Sequence, residues 1–238
     1  MYHPFSIAET IKTAWDIIKK NFATIIVYSV LAVVALVVIE LVNFIFNATS
    51  DFTVQLGLFF LLLLMHAYTT LGLYKLIFTL IDSEFYEFEF SQIVPSLRMV
   101  ISYISISLIF AFIVTTYNFF IIDKWLSAYP VTQQFANVAG TLLLIYLALR
   151  YMFCVCFIVD DNSGPLESLV QSFHLTKGSL AKIILILLIS IALIALGFIA
   201  LLIGIVITYP LVNIILVVTY RKLVYSHMDV DDDVAETN

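Results

Sequence analysis

An all-α polytopic integral membrane protein is the fold class this chain predicts, and three observations carry that reading. Hydrophobic residues fill 63% of the 238 positions and charged residues 12%. The mean hydropathy of +1.09 lies outside the range of ordinary soluble domains. The apolar residues fall into runs long enough to cross a hydrocarbon core about 30 Å thick, which takes about 20 helical residues because unpaired backbone groups cannot face lipid. Finally, nearly all the lysine and arginine falls on one side of the topology those runs imply.

Six transmembrane helices follow in order. The first run is Phe22 to Phe46, interrupted only by Glu40; the second is Leu56 to Ile81, carrying His66 and Lys75. Met99 to Ile122 is uncharged, and Phe135 to Val159 contains Arg150. The last run, Ile183 to Tyr220, holds 38 uncharged residues, about 57 Å as a single helix. That is too long for one span, so a tight hairpin of two short spans is predicted, roughly 183–203 and 206–224. Gly204 and the Tyr209-Pro210 step offer places to turn.

With both termini cytoplasmic, Lys12, Lys19, Lys20, Lys75, Arg98, Lys177, Lys182, Arg221 and Lys222 lie inside or at the inner interface, Lys124 lies outside, and Arg150 lies within a span. A single long fifth helix would place Arg221 and Lys222 on the far side, against the positive-inside bias. The expected location is therefore a cell membrane, multi-pass with both termini cytoplasmic. No cleavable signal is expected, because the first apolar run begins only at Phe22 and no convincing small-residue cleavage motif follows. Residues 1–228 read as one domain and 229–238 as a disordered acidic tail. Five of the acids behind the net charge of −6 lie between Asp229 and Glu236.

Three amphipathic cytoplasmic interfacial helices are predicted beside the spans. In Ser6 to Phe22, Ala8, Ile11, Trp15, Ile18 and Phe22 recur at helical spacing. Ser6 with Glu9 forms a capping box, in which each side chain satisfies a free backbone donor. A shift of 158 residues repeats the pattern: Glu9-Thr10-Ile11 matches Glu167-Ser168-Leu169, Trp15 matches Phe173, Lys19 matches Lys177, and Phe22 matches Leu180. Pro165 suits the first turn of the second copy. A weaker copy at a shift of 86 aligns Thr10-Ile11-Lys12 with Ser96-Leu97-Arg98. Three units are implied, each an interfacial helix followed by two spans. Between the second and third spans, Asp82 to Phe90 alternates acids with aromatic residues, the composition of a headgroup-level segment.

Arg150-Tyr151, Val159-Asp160-Asp161, Gly164-Pro165, Glu167-Ser168, Ser172 and Leu175-Thr176-Lys177-Gly178 resemble a signature of bacterial six-helix membrane proteins. These are the YciC-like proteins and the membrane domain attached to some glycerophosphoryl diester phosphodiesterases. The opening Glu9-Thr10 to Phe22 and the closing Tyr209-Pro210 to Arg221 are similar too. The resemblance implies the six-helix fold, a bacterial cytoplasmic membrane as the location and a link to lipid or envelope work. It carries over no catalytic residue, and the chain has no room for a soluble phosphodiesterase domain.

Arg150 is the residue that most needs an explanation. Arginine at a span centre costs about 2.5–3.5 kcal/mol, which the surrounding leucines offset, and such charges face protein interior or a wet cavity. It either holds a lipid phosphate in its planar fork or binds helix carbonyls and polar side chains. Direct pairing with Asp160 is disfavoured, since the two lie about 15 Å apart along one helix. His66, mid-span, either relays a proton or hydrogen-bonds between helices. Lys19, Lys20, Lys177 and Lys182 stand as headgroup contacts. Cys154 and Cys156 lie about 200° apart on a helix and read as buried free thiols.

No metalloprotease, nucleophile-elbow or phosphate-loop motif is present in the sequence. No catalytic residue, metal or cofactor is expected, and nucleic acid is not among the expected partners. The function expected is a non-enzymatic envelope protein that binds lipid or assists a membrane protein, with membrane lipids, a membrane protein or a second copy as partners. The alternative is a small transporter or transporter subunit with His66 and Arg150 lining its path, supported by the repeats but not by Gly- or Pro-broken helices.

Overall fold

The computed structural model describes residues 6–46, 51–82, 90–125, 129–200 and 203–236. Among them every regular element is helical: α1 (Ile7–Lys20), α2 (Phe22–Phe46), α3 (Phe52–Asp82), α4 (Phe90–Ile93), α5 (Leu97–Thr116), a π-helical continuation of α5 (Tyr117–Trp125), α6 (Pro130–Tyr151), α7 (Cys154–Asp160), α8 (Pro165–Leu175), α9 (Leu180–Ile199) and α10 (Ile203–Glu236). Six stretches are long and apolar enough to cross a membrane: Phe22–Phe46, Phe52–Asp82, Ser91–Phe120, Pro130–Asp160, Leu180–Ile199 and Gly204–Ser226. These are the six spans expected, with α6 and α7 together forming the fourth. The chain is an all-α, multi-pass membrane protein.

The helix ends follow local chemistry. Ser6 caps α1 by accepting from the Glu9 N–H at 3.5 Å, but Glu9 does not complete the capping box. Its carboxylate reaches Lys222 Nζ at 3.1 Å, a charged partner rather than the helix's own neutral N–H. In α8, Pro165 takes the first helical position and Glu167 accepts from the Gly164 N–H at 3.2 Å. Ser96 caps α5 by accepting from the Met99 N–H at 3.3 Å. Ser96-Leu97-Arg98, aligned above with the first interfacial helix, thus opens the third span itself, and what precedes it is the single turn of α4 followed by Val94 and Pro95.

The last hairpin turns slightly earlier than its sequence suggests. α9 ends at Ile199, α10 begins at Ile203, and Gly204 lies in the first turn of α10. Pro210 is a buried residue inside α10, not a turn. Close approach of Gly197 to Gly204 makes the turn feasible. A Cβ on Gly204 would sit 2.5 Å from the Gly197 carbonyl oxygen and 2.8 Å from the Gly197 Cα. The other glycine approaches are internal as well, Gly72 against Tyr28 and Gly140 against Tyr117. Both tyrosines donate across the helix pair, Tyr28 to the Thr69 carbonyl at 2.9 Å and Tyr117 to the Ala136 carbonyl at 2.6 Å.

The α10 backbone continues helically to Glu236, through most of the segment separated above as a disordered tail. No glycine or proline between residues 221 and 236 interrupts it. Residues 237–238, and the acid-aromatic alternation over 83–89, lie outside the described residues.

One contiguous cluster of buried side chains joins α1, α2, α3, α5, the fourth span, α8, α9 and α10. In their most apolar windows α10 is 56% buried and α2 only 11%, which makes α10 the central helix and α2 a peripheral one. Val30, Val34, Val37, Val38 and Leu41 of α2 are all exposed, an apolar surface of the kind lipid covers. The short lead-in helices pack in a cyclic order. α4 lies on α3, α8 on α7, and α1 on α10, so each rests on the closing span of the preceding unit. The buried positions agree in register: Thr10, Ala14 and Ile18 on α1 stand 158 residues from Ser168 and Ser172 on α8 and Thr176 at its C-cap. We call the membrane face bearing α1, α4, α7 and α8 the capped face.

Candidate functional site

The fourth span is interrupted between Tyr151 and Cys154 without a glycine or proline. The cause is Ser172 of α8. Its hydroxyl donates to the Arg150 carbonyl at 2.8 Å and accepts from the Phe153 N–H at 3.3 Å. A side chain inserted into the backbone ladder breaks a helix as effectively as proline does. The Cys154 thiol donates to the Ser168 carbonyl at 3.5 Å, so α8 runs antiparallel to α7 along a buried column of Ser168, Ser172 and Thr176. Ser172→Ala leaves two buried backbone groups to find new partners. The expected loss is about 1–3 kcal/mol, read as a lower unfolding midpoint that Ser172→Thr restores in part. An unchanged midpoint in the alanine variant would show that the ladder closes without cost.

Arg150 sits at this break. Its Nε donates to the Tyr146 hydroxyl at 3.1 Å and its Nη1 to Thr176 Oγ1 at 3.3 Å. The guanidinium carbon lies 4.6 Å from the Phe173 ring centroid and 5.3 Å from that of Tyr146. Among the described residues no carboxylate lies within ion-pair distance of it. Asp160, the intrahelical candidate, is engaged elsewhere.

Each closing span carries a cation that reaches the next lead-in segment. Lys75 Nζ donates to the Val94 carbonyl at 2.8 Å, Arg150 meets Thr176, and Lys222 meets Glu9. Of the three, Lys222 has a carboxylate and Lys75 a carbonyl dipole. Arg150 has hydroxyls and ring faces, which hold its position but leave its charge largely uncompensated.

The second constellation, which the sequence reading did not assemble, lies where α3, α7 and α10 meet. Arg221 Nη2 lies 2.6 Å from Asp82 Oδ2 and 3.3 Å from Asp160 Oδ1. Tyr220 donates its hydroxyl to Asp160 Oδ2 at 3.0 Å, and the Arg221 guanidinium stacks 5.0 Å from the Phe78 centroid. Partial burial and the neighbouring Asp160 carboxylate push Asp161 above the ordinary aspartate value, with Arg221 acting in the opposite direction. An open cavity of about 460 Å³ borders this cluster, lined by Lys75, Phe78, Thr79, Asp82, Gln92, Val159 and Asp160.

His66 lies apart from Arg150. It lines a cavity of about 320 Å³ between α2, α3 and α10, with Tyr28, Thr70 and Tyr209 on the same walls. α6, by contrast, packs on α8, α9 and the π-helical end of α5. Among the described residues the two therefore sit against different sets of helices.

The four lysines named as headgroup contacts flank two span beginnings, Lys19 and Lys20 before α2, Lys177 and Lys182 around the start of α9. Lys19, Lys20 and Lys177 are exposed and Lys182 half-buried. Lys19 Nζ lies 5.3 Å from the Trp15 ring. Both cysteines are buried free thiols. Among the described residues no group of three or more His, Cys, Asp or Glu side chains is placed to hold a metal ion.

Comparison with protein-family models, with curated proteins and with solved structures finds no match.

Proposed function

We propose that the chain is a non-enzymatic envelope protein of a bacterial cytoplasmic membrane, with both termini cytoplasmic, that binds anionic lipid and through it serves a membrane partner. Kinship with the YciC-like six-helix proteins is part of this proposal and rests on the motif residues quoted above. The observation that carries it is Arg150: a guanidinium held by Tyr146, Phe173 and Thr176, with no carboxylate partner among the described residues. A planar fork with donors to spare suits phosphate oxygens. Lys177, just beyond Thr176, and Lys182, Lys19 and Lys20 add positive charge at span beginnings, each worth about 1 kcal/mol toward an anionic surface.

Native mass spectrometry after mild extraction tests this. Wild type is expected to retain a defined anionic lipid that a folded Arg150→Ala variant retains about tenfold less, the loss of one charged hydrogen bond. An identical lipid profile in the two proteins makes Arg150 a structural clasp and removes the support for lipid binding at this site.

Transport is the second reading, and the His66 cavity is what favours it. It predicts that His66→Ala abolishes any solute flux in proteoliposomes while leaving the fold intact; flux that survives the substitution counts against it.

A further inference from the structure

We propose that the cavity between α3, α4 and α7 receives the headgroup of a zwitterionic aminophospholipid, a lipid of the phosphoethanolamine type. This is a different site from Arg150, and the proposal does not depend on that one.

The walls have an order. Lys75, Thr79 and Asp82 lie at i, i+4 and i+7 on α3 and all line the cavity. They form one stripe about 10 Å long down the helix. Asp82 closes α3 at the capped face, so Lys75 is the deeper end. The bond from Lys75 to the Val94 carbonyl brings the chain after α4 to that deep end, and Gln92 of α4 lines the cavity too. At the shallow end, Asp160 stands beside Asp82, both held by Arg221. The deep end therefore offers an ammonium and an amide, and the shallow end two carboxylates.

That polarity matches one headgroup class. In a phospholipid the phosphate joins the glycerol and chains and lies on the deep side, with the amine beyond it toward water. Phosphate then meets Lys75 and Gln92, Thr79 donates between, and the ammonium meets Asp82 and Asp160. Each carboxylate keeps lone pairs beyond those engaged by Arg221 and Tyr220. A purely anionic headgroup would face two carboxylates, and a simple cation would face Lys75. A quaternary ammonium has no N–H for the carboxylates and favours aromatic cages, while among the described residues the one ring lining the cavity, Phe78, already carries Arg221.

The chains have a place as well. A groove of about 260 Å³ is lined by Leu76 and Ile93, the sequence neighbours of Lys75 and Gln92, and by Val27 and Leu31 of α2. Its apolar walls lie within the span region, where an acyl chain needs them.

The test uses the full chain in mild detergent, titrated with ethanolamine, choline and glycerol phospholipids of one chain length and followed by native mass spectrometry. Wild type is expected to prefer the ethanolamine lipid about tenfold, the worth of one charge-assisted hydrogen bond. Asp82→Asn, which removes a carboxylate that meets the ammonium, is expected to lose most of that preference while the retention of anionic lipid at Arg150 stays as in wild type; Lys75→Met, which removes the phosphate contact common to all three lipids, lowers the retention of each. Gln92→Leu, which changes no charge, lowers the retention of all three lipids alike, and Asp160→Asn carries the test if Asp82→Asn does not fold. Equal retention of the ethanolamine and choline lipids by wild type overturns the proposal, as does a folded Asp82→Asn protein that keeps the preference in full. Soluble phosphoethanolamine binding as tightly as the lipid overturns the assignment to a lipid.

Discussion

Gly204→Val is expected to prevent the last two spans from closing, and with them the fold. The added Cβ would lie 2.5 Å from the Gly197 carbonyl oxygen and 2.8 Å from both the Gly197 Cα and the Ala200 Cβ. The nearest of these atoms are backbone of the facing helix, so no rotamer change relieves the overlap and the helices must separate. In a membrane, association between helices depends on such close approach, because lipid tails compete equally well for apolar surface. α9 and α10 form the most extensive helix pair in the bundle, and α10 is its central helix. Overpacking at such a point costs about 3 kcal/mol or more. The variant should be recovered mainly as aggregate on size-exclusion chromatography after extraction. Gly57→Ala is the control, since nothing lies within 4 Å of a Cβ there. A valine variant that elutes and melts like wild type would show that the hairpin tolerates a wider separation.

The spans are legible in the sequence because bilayer thickness imposes a length that a run of apolar residues records directly. Phe22–Phe46 agrees at both ends, the third span begins eight residues early, at Ser91, because the turn of α4 is counted with it, and the others differ by one to five residues where polar flanks such as Phe52–Gln55 or Pro130–Gln134 extend a helix. The break in the fourth span is not legible. It is imposed by Ser172, 19 residues beyond Phe153, and a serine bonded within its own helix and one inserted into another helix look alike in sequence. Glu9 illustrates the same limit. Its spacing from Ser6 is that of a capping box, but the carboxylate answers to Lys222 at the other end of the chain. Asp160 and Arg221 were both conspicuous in the sequence, and the contact that joins them depends on how α7 and α10 meet.

The cyclic packing of the lead-in helices accounts for which polar residues sit in the bundle. A closing span that must hold the next unit's short helix needs a polar group near its end, and Lys75, Arg150 and Lys222 supply one each. Their partners differ in kind: a carbonyl, a hydroxyl and a carboxylate. Of the three, Arg150 is the position with the least compensated charge.

Arg221→Met is expected to lower the unfolding midpoint by roughly 5–10 °C, from a loss of about 2–3 kcal/mol. The magnitude follows from where each charge sits. Asp82 is 57% exposed and rehydrates when its partner is removed, so its share is that of a surface pair, at most about 1 kcal/mol. Asp160, 23% exposed, keeps among the described residues the Tyr220 hydroxyl alone and bears most of the cost of an unpaired, partly buried carboxylate. Loss of the guanidinium from the Phe78 ring adds about 0.5–1 kcal/mol. Methionine fills similar volume, so the loss reads charge and hydrogen bonding rather than a cavity. Arg221→Lys should fall between, because a single ammonium cannot bridge two carboxylates and stack on the ring together. The decisive comparison is Asp160→Asn in the Arg221→Met background. If the stranded carboxylate is the main cost, neutralising it restores part of the midpoint, and the double variant is more stable than the Arg221→Met protein alone. If the two losses simply add, the carboxylate is not the source of the instability and Arg221 acts through packing on Phe78.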